Sequence, residues 1–133
     1  MAKNGLVTLQ SAHDFKITLE RLLTAIESKG IAVFARIDHA AGAASVGLAL
    51  RPTTLVVFGN PAAGTPLMQA AQTAGIDLPL KALVWQDASG AVLLSYNDPA
   101  WIAARHELGA EANKAVSNLA AAIEALARHA TGP

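Results

Sequence analysis

Apolar residues along this chain switch between a helical period and strict alternation, and the switches mark its elements. Phe15, Leu19, Leu22, Leu23 and Ile26 recur at helical spacing between Asp14 and Lys29, with Gly30 as the stop. Ser11 and Asp14 both qualify as the cap of that helix. Before it, Leu6-Val7-Thr8-Leu9 reads as a short strand. After it, Ile31 to Asp38 alternates, with Ile31, Val33 and Ile37 on one face and Phe34, Arg36 and Asp38 on the other, the pattern of a half-buried strand. His39 to Val46 is small and alanine-rich, a loop or a short helix. Thr53 to Phe58 is dense in β-branched and aromatic residues and reads as a strand.

Gly59 to Gly64 then reads as a turn, with Thr65 as cap, Pro66 at the first helical position and Gly75 closing a short helix. Leu80 to Gln86 and Ala91 to Tyr96 form a hairpin around Asp87-Ala88-Ser89-Gly90. Asp98 caps and Pro99 opens a helix through Leu108, stopped by Gly109. Ala112, Val116, Leu119, Ile123 and Leu126 mark one face of a C-terminal helix over 110–130. The order β-α-β-β-α-β-β-α-α, with hairpin connections in place of regular βαβ alternation, predicts an α+β fold: an antiparallel sheet with helices packed on one face. No linker or repeat divides residues 1–133, so the chain reads as a single domain.

Composition narrows the function. Hydrophobic residues make up 53% and charged residues 15%, so a core forms readily and disorder is not expected. So charge-poor a surface points to self-association; the abundance of alanine is an equal account of it. Ten basic and ten acidic residues give a formal charge of zero without a Lys/Arg cluster, which removes the footprint of nucleic-acid binding. Without cysteine there is no disulfide, thiolate catalysis or cysteine-ligated metal. The opening residues from Met1 show no export signal, and no apolar run reaches the ~18 residues of a membrane span. A cytoplasmic location without membrane contact is the resulting expectation.

Polar groups and helix N-termini gather at Phe58-Gly59-Asn60-Pro61-Ala62-Ala63-Gly64-Thr65-Pro66 and at Tyr96-Asn97-Asp98-Pro99. The G-x-x-x-x-G spacing of Gly59 and Gly64 is followed by Thr65-Pro66, not Lys-Ser/Thr, so the lysine of a nucleotide-hydrolysing loop is missing. What survives is an anion held by backbone amides at a helix N-terminus, or a plain turn. Asp38-His39 and Arg105-His106 are the polar pairs that carry a titratable base. Neighbours on a strand point to opposite faces, and a histidine near a helix C-terminus is favoured by the dipole alone, so each pair also has a purely structural account. A metal centre would need a ligand beyond His39 and His106, and no H-x₃-H or H-E-x-x-H spacing supplies one. The expectation is no metal and no cofactor.

Several of these strings occur together in an order that resembles the bacterial domain-of-unknown-function 302 family: Ile37-Asp38-His39, Phe58-Gly59-Asn60-Pro61, Gly64-Thr65-Pro66-Leu67-Met68, Leu78-Pro79-Leu80-Lys81, Trp85, Tyr96-Asn97-Asp98-Pro99 and Arg105-His106. The resemblance covers about 15–108 and leaves the C-terminal helix as an extension for packing or dimer support. It implies a curved antiparallel sheet backed by helices, similar in outline to TATA-binding-protein-like folds, and a homodimer. It does not import DNA binding, for which the charge is missing. Where the family often has a basic residue after Asn-Pro, this chain has Ala62.

The functional expectation is a non-enzymatic homodimeric module that holds a small ligand, with His39, Asn60, Thr65, Lys81, Asn97 and His106 lining the site. The alternatives are an enzyme using His39 or His106 as general acid/base with Asp38 or Asp98 orienting it, and a structural or protein-interaction domain in which these residues are caps and surface groups.

Overall fold

The computed structural model describes residues 4–133, and Met1–Lys3, on which the reading of the opening residues partly rests, lie outside them. Five strands form one antiparallel sheet: β1 (Leu6–Gln10), β2 (Ala32–Asp38), β3 (Thr53–Gly59), β4 (Leu80–Gln86) and β5 (Val92–Asn97), in the spatial order β1-β5-β4-β3-β2. The helices are α1 (Phe15–Ser28), α2 (His39–Ser45), α3 (Pro61–Ala70), α4 (Pro99–Arg105) and α5 (Asn113–Thr131). The fold is α+β, as the order of periodicities predicts.

Register separates the two faces of the sheet. The rows Leu9–Leu94–Val84–Thr54 and Val7–Tyr96–Ala82–Val56, with Leu80–Phe58 beyond them, point to the side where α1 and α5 bury Leu22, Ile26, Leu119, Ile123 and Leu126. α5 is therefore a full layer of the core, packed along α1 and braced by α3 and α4. Asp14, not Ser11, caps α1: its Oδ1 accepts from the Ile17 amide at 2.8 Å, and Ser11 is occupied with the Thr18 hydroxyl at 2.6 Å. Gly5 permits the close approach of α4, because a Cβ there would run into the Trp101 ring.

Strand β2 departs from expectation. It is an outer strand exposed along nearly its whole length, not a half-buried one. The register slips between Val33 and Ala35, leaving Phe34 as the extra residue of a bulge. The extra residue inverts the alternation. Val33, opposite Phe58, then shares a face with Arg36, opposite Val56, while Ile37, opposite Leu55, lies on the other face. His39–Ser45 is a helix, capped by Asp38, whose Oδ1 accepts from the Ala41 amide at 2.9 Å.

The second correction concerns Gly59 to Gly64, expected as a turn before a helix capped by Thr65. Asn60 is the cap, its Oδ1 accepting from the Ala62 amide at 2.9 Å, and Pro61 takes the first helical position. Thr65 and Pro66 sit inside α3, where Pro66 can donate nothing to the preceding turn. The helix ends at Ala70, and Gln72–Ile76 continues as a 3₁₀ turn. Helix α4 likewise ends at Arg105, short of the Leu108 expected.

Candidate functional site

The glycines flanking Asn60-Pro61 leave a hollow. At the end of β3, Gly59 brings no side chain between Pro79 and Phe34, and Gly64 brings none against Leu78. A pocket of about 300 Å³ opens here, between the first turns of α3, the Leu78–Leu80 approach to β4, Phe34 of the β2 bulge and Leu119 of α5. Met68 closes one side. Asn60 and Thr65 are the lining residues with polar side chains; the others are apolar or glycine. The volume stands at the small end of ligand sites, with room for about ten waters at ~30 Å³ each.

A polar cluster begins on the same connection, one residue before the pocket wall. Asp77 receives Arg105 Nη1 at 3.0 Å on each carboxylate oxygen, and its Oδ2 lies 2.6 Å from His106 Nε2. The other ring nitrogen, Nδ1, lies 2.9 Å from the Thr73 hydroxyl. The side chains of His106 and Asp77 are only 7% and 12% exposed, so both are largely withdrawn from water. A neutral imidazole with its hydrogen on Nε2 satisfies both contacts: Nε2 donates to Asp77 and Nδ1 accepts from Thr73. Arg105 also lies 5.8 Å from the centroid of the Trp101 ring, a cation–π distance.

Lys81 borders this cluster, with Nζ donating to the backbone carbonyls of Pro79 at 3.0 Å and Asp77 at 3.4 Å. One step beyond the Ala82–Tyr96 pair, the register sets Lys81 beside Asn97 on the sheet face turned away from α1 and α5. The six expected site residues thus divide three ways. Asn60 and Thr65 line the pocket, His106 belongs to the polar cluster with Lys81 at its border and Asn97 beside Lys81 on the sheet, and His39 is elsewhere. His39 follows the β2 end where Asp38 pairs with Thr54, whereas the pocket lies at the other end, where Ala32 pairs with Gly59. At ~3.3 Å per residue those ends are roughly 20 Å apart.

The orienting carboxylates also differ from expectation. Asp38 and Asp98 are helix caps, Asp98 Oδ1 accepting from the Ala100 amide at 2.9 Å, and the carboxylate that holds His106 is Asp77. Asp77 and Thr73 carry no local signal, since they reach His106 across 29 and 33 positions of sequence. Among the described residues, no group of three or more His, Asp or Glu is placed to hold a metal ion.

The chain belongs to the family "Domain of unknown function DUF302", which matches residues 7–126 and so runs into α5. Its fold is shared by an uncharacterized conserved DUF302 protein from Bacillus stearothermophilus, with a TM-score of 0.83 at 17% identity over 95% of this chain and 98% of that one. The chain is also similar to a protein of Brucella suis biovar 1 called fluoride-specific ion channel FluC 1, 46% identical over 129 residues. A Brucella abortus protein of the same name matches equally, at 46% over 129 residues. In each case the similarity covers 97% of this chain and 51% or 48% of the relative, so the chain spans about half the length of these relatives. Among the described residues no helix is long and apolar enough to cross a membrane.

Proposed function

We propose that the chain is a non-enzymatic, homodimeric module that binds a small, largely apolar molecule between α3 and the Leu78–Leu80 segment. The observation that carries this reading is the pocket at Gly59–Thr65: an apolar hollow of about 300 Å³ with Asn60 and Thr65 to fix a ligand's polar end. Apolar walls with few polar anchors are the general form of a small-molecule site. The ligand class is a molecule of about ten non-hydrogen atoms with one hydrogen-bonding end.

The names of the Brucella relatives suggest a setting for such a module. In them a segment like this chain is joined to about as much again, within proteins called fluoride channels. We place the chain as the non-spanning partner of a membrane transport protein, sensing a small molecule. Fluoride itself does not fit the pocket: a small, strongly hydrated anion among apolar walls loses its water without a cation to replace it. Lys81, which follows the lining residue Leu80, is engaged with backbone carbonyls.

The test is native mass spectrometry of freshly purified protein against its denatured mass. An extra mass lost on denaturation, and lost again from a Gly64→Leu variant, supports the reading. Retention of the same mass by Gly64→Leu removes the pocket as its site.

A second reading, of an enzyme, is favoured by the line Thr73 hydroxyl, His106 imidazole and Asp77 carboxylate, a base with its orienting acid beside a hydroxyl. It requires hydrolysis of activated esters that disappears in both Thr73→Ala and His106→Gln; turnover indifferent to His106 ends it.

A further inference from the structure

Two apolar surfaces stand open among the described residues. The first is the sheet face turned away from α1 and α5. Register assigns to it the rows Gln10–Leu93–Trp85–Thr53 and Thr8–Ser95–Leu83–Leu55–Ile37, with Val57 beyond them. Trp85 lies across this face with Nε1 donating to Ser95 Oγ at 3.0 Å, and Thr8 Oγ1 meets the same oxygen at 2.8 Å, so these three polar side chains are paired with one another. Among the described strand residues on this face, Lys81 alone is charged, and it donates to carbonyls of its own chain at the border. The second surface is the segment from α2 back to β3, where Val46 is 71%, Leu48 66% and Leu50 48% exposed.

We infer that a second copy of this chain covers the open sheet face, the two sheets packing face to face with the Val46–Leu50 segment of each copy lying on the other. A two-fold pair needs one surface that meets itself. This face is self-compatible because it is largely apolar, centred on a tryptophan and nearly free of charge. Five strands at ~4.8 Å and about six residues at ~3.3 Å give roughly 500 Å² per copy, so two copies approach the ~1,000 Å² lower bound of a specific interface before the segment adds to it. A surface built to meet the lysine- and arginine-rich loops that flank membrane spans would present carboxylates. The strand residues on this face include no Asp or Glu.

This inference rests on the homodimer in the proposed function and is independent of the ligand, so the two fail separately. Sedimentation velocity from about 1 to 100 µM should show a species at twice the 13.7 kDa chain mass. Leu48→Asp, at an exposed position that no core packing depends on, should weaken dimerisation by about a hundredfold or more while the monomer keeps the circular dichroism of the fold. Leu83→Asp, at the centre of the face, should give the monomer as well, and its circular dichroism shows whether it has folded. Ligand uptake by Leu48→Asp should match the parent. A monomeric parent at ~100 µM overturns the inference. Dimers that survive Leu48→Asp unchanged overturn it too.

Discussion

Asn60-Pro61 and Asp98-Pro99 follow strands, open helices and use the same device, a side-chain oxygen accepting from the amide two residues on at 2.9 Å. Their outcomes differ. After Asp98, Pro99 and Ile102 are buried, and the short α4 is pressed into place to deliver Arg105 and His106 to Asp77. After Asn60, Leu67 is the one fully buried residue of α3, and the glycines at 59 and 64 leave a hollow beside it. A cap-and-proline signature therefore sets where a helix starts and in which direction it leaves. The side chains absent beside it decide whether a pocket forms.

The strongest way to break this comparison is to remove each helix's apolar anchor. Leu67→Ala and Ile102→Ala truncate side chains that are 0% and 1% exposed, and each should lower unfolding free energy in urea by about 2–5 kcal/mol. Leu67→Ala should also change ligand uptake by loosening α3, whereas Ile102→Ala should leave it unaltered at temperatures where the variant is folded.

Next come the contacts that α4 delivers. His106→Gln removes the partner of a largely buried carboxylate and should cost about 1–3 kcal/mol, read in the same denaturant titration, without loss of ligand binding. Loss of binding would join cluster and pocket into one site. The caps follow at about 1 kcal/mol each for Asn60→Ala and Asp98→Ala. Equal thermal shifts with a binding defect confined to Asn60→Ala would sharpen the contrast; equal binding defects would dissolve it.

Filling the hollow should have the opposite sign. Gly64→Leu replaces a mid-helix glycine whose added Cβ would stand 3.8 Å from Leu78, an ordinary contact. It should leave stability unchanged or raise it by about 0.5–1 kcal/mol while abolishing uptake. The smallest effect belongs to the β4–β5 hairpin, far from both turns. Asp87 is held below its ordinary value of 3.8, first by the Ser89 hydroxyl, and it also accepts the Ser89 and Ala91 amides. A depressed folded pKa means stability present above the unfolded value and lost as pH falls through the folded one. Asp87→Ala should therefore flatten the fall in melting temperature below pH ~4, with no change in binding.

Much of this arrangement is legible from local chemistry. Helix α1, the strands β3, β4 and β5 and the Asp98-Pro99 start follow from periodicity and capping alone. The Asn60-Pro61 start was obscured because Thr65-Pro66 repeats the signature five residues later, and the stronger cap, followed by proline, wins. A bulge leaves no mark in an alternating pattern, so alternation alone sets Val33 and Ile37 on one face although the extra residue Phe34 puts them on opposite ones. The site was half legible. Asn60 and Thr65 are neighbours in sequence and stay so in space. His39 shared only its residue type with the others, and Asp77 meets His106 through the fold itself, which no spacing rule encodes.

The central claim, that the hollow beside Asn60 is where this chain takes its ligand, is tested most directly by amide-resolved NMR during titration with small alcohols, ketones and amides that carry one polar end. The account predicts saturable shifts centred on Gly59–Thr65 and the Leu78 and Leu80 amides, absent in Gly64→Leu. Shifts centred on Thr73 and His106 or on Trp85 and Leu93, or no saturable shifts at all, would contradict it.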